Sequence, residues 1–178
     1  MGGLQKTFRR IRERYSGGAN RPLRGYTVVL GTYAAVAGAL TAGGRALGVR
    51  LPERFSAGDT VLLSVATHKA SRLLTKDAVT SPLRAPFARY EEPAGMAELN
   101  ESVRGRGAQH AVGEMLTCPF CLGVWTATAL TAGFVAAPRA TRVVATMLTA
   151  VAASDLMQIG YDGSKQLLQR TAREARDQ

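Results

Sequence analysis

Cysteine, histidine and aromatic side chains are scarce in this 178-residue chain: two Cys, two His, and aromatics at 6%. One thiol pair leaves no second local pair for a metal site built from paired cysteines. Nothing alternates strand and helix as a thioredoxin-type βαβ dithiol domain requires. The sequence holds no internal repeat and no low-complexity tract, so the repeat symmetry of many small transporters is missing as well. Acids are also few, 13 against 23 Lys and Arg, for a net charge of +10.

That excess invites a nucleic-acid reading, but its distribution argues against one. Lys6, Arg9, Arg10, Arg12, Arg14, Arg21 and Arg24 crowd the first 24 residues against one acid, Glu13, directly before an uncharged run. Cytoplasmic flanks of membrane helices carry such excesses. Within this leader Leu4, Phe8, Ile11 and Tyr15 recur at helical spacing between arginines, the pattern of an interfacial basic helix attracted to anionic lipid headgroups; a disordered basic leader is the plain alternative. The partners expected are therefore the lipid bilayer, its anionic headgroups and a protein partner of unknown identity, with no nucleic acid.

What the chain does have is long apolar runs. Gly25 to Gly44 is uncharged over 20 residues, Met115 to Ala137 over 23, and Val143 to Tyr161 runs 19 residues with one acid, Asp155. About 20 apolar residues span a hydrocarbon core. The first run is longer than a signal-peptide core and reads as a retained helix. A weaker candidate covers 57–76: Ser64, His68, Ser71, Arg72 and Thr75 follow one helical stripe and Leu62, Val65, Ala66 and Leu73 another. Such a helix crosses if its polar stripe faces partners or a wet cavity. With four crossings and a cytoplasmic N-terminus, 18 Lys and Arg fall inside and 5 outside; with three, the balance is lost.

The expected fold is all-α: an integral membrane four-helix bundle in the cytoplasmic (inner) membrane, both termini cytoplasmic. Residues 1–24 form the basic leader and 25–161 the membrane domain, with helices near 25–44, 57–76, 115–137 and 143–161. Residues 162–178 form a charged cytoplasmic tail with a short helix, and Pro138 to Arg142 makes the last turn. Between helices two and three, Lys76 to Glu114 reads as an irregular cytoplasmic loop with too few apolar residues for a core, its acidic part from Glu91 to Glu101 solvated.

Both cysteines sit in Cys118-Pro-Phe-Cys121, at the mouth of the third apolar run. Pro119 suits the first turn of a helix, which would put Cys118 at a helix N-terminus where a thiolate is favoured. Alternatively Pro119 kinks a helix begun near Ala111, and the cysteines are small packing residues. The topology places the pair on the reducing side, which disfavours a disulfide. Cys118, Cys121, His68 and His110 would total four zinc ligands, though they are scattered along the chain. At about 1.5 Å per residue, Cys121, Asp155 and His68 fall at similar depth in the inner leaflet. Asp155 is then expected to be compensated by Arg72, His68 or Lys69.

His68-Lys69-Ala-Ser-Arg72, Thr75-Lys-Asp77, Val79-Thr-Ser-Pro-Leu-Arg84-Ala-Pro-Phe87 and Gly113-Glu114-Met-Leu-Thr-Cys118-Pro-Phe-Cys121-Leu-Gly-Val-Trp125 together resemble a bacterial family called domain of unknown function 1360. The resemblance covers about residues 57 to 160. It implies a small integral membrane protein with these segments as signature, some of whose members are associated with sporulation, and it supplies no reaction, ligand or cofactor.

Two functions follow. One is a non-enzymatic membrane component or scaffold acting through the 76–114 loop. The other is a metal-binding or thiol-dependent membrane protein using Cys118 and Cys121 with His68 and Asp155, zinc the candidate metal, and Arg72 and Arg84 as anion-binding groups. No catalytic residue is assigned.

Overall fold

A computed structural model describes Thr7, Arg10, Ile11 and residues 13–15, 21–95 and 97–176. Helices α1 (Leu23–Ala46) and α2 (Ala57–Thr75) are followed by a 3-10 turn (Ala78–Thr80) and the short α3 (Ser81–Arg84). Strands β1 (Ala88–Pro93) and β2 (Leu99–Val103) come next, then α4 (Ala108–Thr117), α5 (Pro119–Ala136) and α6 (Pro138–Glu174). Of the interfacial stripe expected in the leader, Leu4 and Phe8 lie outside the described residues, while Ile11 and Tyr15 are helical and exposed.

Among the described residues, α1, α5 and α6 are long and apolar enough to cross a membrane. Their large apolar side chains, such as Leu30 on α1, Val124 on α5 and Val143 on α6, are exposed, as expected of surfaces whose solvent is lipid. Membrane association follows from these three helices. Helix α2 forms over 19 residues as its periodicity requires, but is too polar to join them.

The chain divides into two compact units, residues 1–43 with 73–122, and 44–72 with 123–178. In the second, Ala66, Phe134 and Ala145 form the buried centre, with Leu62, Leu63, Leu130 and Leu148 against it. Three polar links tie α2 to α6. Arg142 Nη2 lies 2.7 Å from Asp59 Oδ1, Thr149 donates to Leu62 O at 3.4 Å, and Lys69 Nζ lies 2.8 Å from Asp155 Oδ2. Partners ascend together along both helices, so α2 and α6 run parallel. Helices α5 and α6 meet in a hairpin whose only break is Ala137 (φ −142°, ψ 66°). It closes so tightly that a Cβ on Gly133 would sit 2.7 Å from Thr141 Oγ1.

The expected turn at Pro138 to Arg142 is therefore corrected: those residues are the first turns of α6. Pro138 fills the position where a helix needs no N–H, and Arg142 is drawn onto the helix by Asp59 and by the Phe134 ring 5.1 Å away. Helix α6 also runs past Tyr161 without interruption, so the charged tail continues it rather than forming a separate helix.

The first unit overturns the all-α expectation and the irregular loop. β1 and β2 pair antiparallel, Ala88 opposite Val103, with a bulge between Tyr90 and Glu92. The residues leaving α2 add to the hairpin: Leu99 N–H donates to Lys76 O (2.9 Å) and Ala78 N–H to Ala97 O (2.8 Å), with Asp77 bridged to Glu98. Glu91 accepts from Ser102 and Glu92 from Asn100, so polar cross-strand pairs take the place of an apolar face. That substitution is why period-two hydrophobicity gives no signal in this segment.

Candidate functional site

Arg84 organises the first unit. Its side chain is completely buried, and Nε donates to Glu101 Oε2 at 2.5 Å. Nη1 donates to Leu74 O (3.0 Å) and Thr80 Oγ1 (2.7 Å), and Nη2 to Asp77 O (3.1 Å). Thr80 Oγ1 in turn donates to Leu73 O at 2.5 Å. The last carbonyls of a helix have no partner within it; here Arg84 and Thr80 supply them for α2. Four of the five guanidinium N–H groups are thus engaged. The anion-binding role expected of Arg84 is corrected accordingly, because the group is fully buried and its charge is already paired with Glu101. Glu101, expected to be solvated, has a side chain only 5% exposed.

A second polar cluster gathers on Glu114. Tyr26 donates its hydroxyl to Oε2 at 2.5 Å, Arg21 Nη1 reaches Oε1 at 3.4 Å, and His110 Nε2 lies 3.6 Å from Oε1, one helical turn away. The start of α1 can approach α4 because residue 25 is glycine: a Cβ there would fall 2.3 Å from Gly107 O and 2.8 Å from Ala111 Cβ. His110, a candidate zinc ligand, therefore faces a carboxylate.

Four residues beyond Glu114, the chain breaks between α4 and α5. Cys118 is extended (φ −111°, ψ 110°), and its Sγ accepts the Cys121 N–H at 3.3 Å while its carbonyl accepts from Leu122 N–H at 3.0 Å. This is an N-cap, with Pro119 in the first position of α5. Of the two readings of Pro119, the helix start is the observed one. Both thiols are free, Cys118 half-buried and Cys121 exposed. Cys118→Ser is expected to leave thermal stability and abundance unchanged, since a hydroxyl caps a helix as well; Cys118→Val should cost about 1 kcal/mol. Unfolding in mild detergent checks the pair, and equal losses for both would show that the sulfur does more than cap.

In the second unit, Lys69 is the partner of Asp155, with side chains 13% and 43% exposed. His68 is exposed on α2, and Trp125 is half-buried on α5. Arg72 is half-buried and engaged; Asp77 contributes its carbonyl to Arg84. Among the described residues, no group of three or more His, Cys, Asp and Glu side chains is assembled to hold a metal ion. The structure thus gathers Arg84 with Asp77, and His110 with Glu114, close to Cys118 in sequence. Tyr26, Thr80 and Glu101 are site residues the sequence pattern passed over. The one available signal was Thr80-Ser-Pro82 directly after a helix end, a composition that favours capping and turns.

Comparison with known proteins agrees with the signature segments. A family model described as "Protein of unknown function (DUF1360)" matches residues 62–161, more than half of the chain. The chain is 39% identical over 70 residues to "Sporulation protein YjcA" of Bacillus subtilis (strain 168), covering 38% of this chain and 59% of that protein's length. No solved structure matches.

Proposed function

This chain belongs to the DUF1360 family, a family of unknown function, and on that premise we propose that it is a non-enzymatic, multi-pass component of the bacterial cytoplasmic membrane. Its working part is the folded segment from Lys76 to Thr117. The observation that carries the reading is the Arg84 clip, which fixes this segment to the end of α2 and leaves β1 from Arg89 to Pro93 exposed. A rigid polar ledge of this kind suits protein docking, since little ordering entropy is left to lose on binding.

Four crossings account best for the chain. Helix α6 is apolar enough to span, and α2 runs parallel beside it with its Asp59 and Lys69 paired to Arg142 and Asp155 of α6. Such pairing lets a polar helix enter a bilayer. The basic leader then puts both termini and the 76–117 segment on the cytoplasmic side. The name of the Bacillus subtilis relative extends the proposal to a part in sporulation.

Site-directed photocrosslinking from Arg89 and Glu92 in cells, against matched sites on Val28 and Val143, tests docking. Discrete adducts from the hairpin, lost when its exposed face is replaced by Ser, are expected; adducts equal at all sites would sink the idea. A second reading, a thiol or zinc function of Cys118 and Cys121, is favoured by the accessible pair at a helix start. Zinc at one equivalent with both thiols protected would carry it; full cellular function in the Cys118→Ser/Cys121→Ser variant would dismiss it.

A further inference from the structure

The two thiols at the joint between α4 and α5 take no part in the Arg84 clip or the hairpin. Cys118 and Cys121 lie three residues apart across the first turn of α5, which by helix geometry sets their Cα atoms about 5 Å apart, a separation a disulfide can bridge. Both sulfurs are free, so the pair stands as a dithiol. Cys118 Sγ accepts the Cys121 N–H at 3.3 Å, and such a bond strengthens as negative charge builds on the sulfur. Pro119 holds the turn between them, since its φ is fixed and the first helical position needs no N–H. Cys121 is exposed, and Phe120 between the two thiols is 91% exposed, so the pair is open to another molecule. Exchange with a disulfide needs an accessible thiol pair at this separation and no βαβ frame.

We propose that Cys118 and Cys121 form a dithiol that reduces disulfides. This deepens the thiol reading given second above and rests on it, and it is independent of the docking role of the 76–117 segment. Cys118 gives up its proton and its sulfur attacks one sulfur of the substrate. A mixed disulfide forms, the substrate S–S bond breaks, and the other substrate sulfur leaves as a thiolate that takes up a proton. Cys121 then gives up its proton and attacks Cys118 Sγ. The Cys118–Cys121 bond forms, and the second substrate sulfur leaves and is protonated in turn. One disulfide is thus reduced to two thiols while one dithiol is oxidised to a disulfide, with protons and electrons balanced. On the cytoplasmic side proposed above, small thiols return the pair to its starting form by the same exchange.

The test uses the full reduced chain in mild detergent, as purified and after chelation, with glutathione disulfide as the probe. Reactions are quenched in acid, alkylated and read by intact mass. The expected product is one Cys118–Cys121 disulfide without bound glutathione. Cys121→Ser should stop at a single glutathione adduct on Cys118, and Cys118→Ser should form its adduct about tenfold more slowly than Cys121→Ser does. A hydroxyl keeps the helix cap in Cys118→Ser, so an unchanged melting temperature shows that the slower exchange is not a folding loss. Two glutathione adducts accumulating on the wild-type chain would overturn the pairing of the thiols. Equal rates for the two variants would overturn Cys118 as the attacking sulfur. Protection lifted only by the chelator would overturn the exchange activity and leave the metal form of the second reading standing. Thiols inert under both conditions, with full cellular function in Cys118→Ser/Cys121→Ser, would overturn both.

Discussion

Arg84→Ala should unfold the segment from Lys76 to Val103 while leaving the apolar helices inserted. Removing the guanidinium strands Glu101 as a buried, unpaired carboxylate and exposes no water to the carbonyls of Leu74 and Asp77. Breaking one side of a buried ion pair costs about 3–5 kcal/mol, much of the stability a small domain has. Limited proteolysis of membranes is the direct measurement: new cleavage between 85 and 104 is expected, with α1 and α6 still protected. Arg84→Lys should not rescue, because an ammonium is one point charge and cannot serve Glu101, Thr80 and two carbonyls in fixed directions at once. Arg84→Met/Glu101→Leu should recover part of the loss, as apolar replacements of buried ion pairs often do. An Arg84→Ala protein as protease-resistant as the wild type would show that the clip does not hold the segment.

Asp155→Ala is expected to lower the amount of membrane-inserted protein severalfold. Lys69 lies beside it with a side chain only 13% exposed, and the substitution leaves that ammonium without its partner at 2.8 Å. An unpaired charge at membrane depth costs about 2.5–3.5 kcal/mol on insertion-based scales. The exchange Lys69→Asp/Asp155→Lys restores opposite charges across the same gap and should restore abundance; Lys69→Ala/Asp155→Ala should fall between the two. Quantitative blotting of washed membranes reads all four. Rescue by exchange separates a direct pair from a role for Asp155 alone, and its failure would remove the argument that α2 crosses beside α6. The Asp59–Arg142 pair, with side chains 14% and 54% exposed, offers a second test: Arg142→Ala should lower abundance in the same direction.

Much of this was visible in the chain itself. The apolar runs gave α1 and α5 nearly to their ends, and the helical spacing of Ser64, His68 and Ser71 gave α2 despite its polarity. Helix positions are legible because apolar content and period are properties of neighbours in sequence. The hairpin was not, because strands reading Ala-Arg-Tyr-Glu-Glu-Pro and Leu-Asn-Glu-Ser-Val show no apolar alternation. They hold through polar pairs and through hydrogen bonds to the residues leaving α2. The last turn was misplaced for the opposite reason: Pro138 and two nearby arginines look like a loop, yet one residue suffices where Gly133 lets Thr141 pack against it.

By itself the sequence determined that the chain carries runs apolar enough for membrane association, that one flank is strongly basic, and that its two thiols stand at the mouth of an apolar run. Only the tertiary structure decided what the charged residues do. Arg84 reads locally as a free cation and is a buried cap for a helix ending nine residues earlier; Glu101 reads as solvated and is its counterion; Asp155 had three candidate partners and takes Lys69. Local sequence fixes where helices form, but the free energy of a buried charge depends on groups brought within about 3 Å by the fold, and no periodicity records that distance.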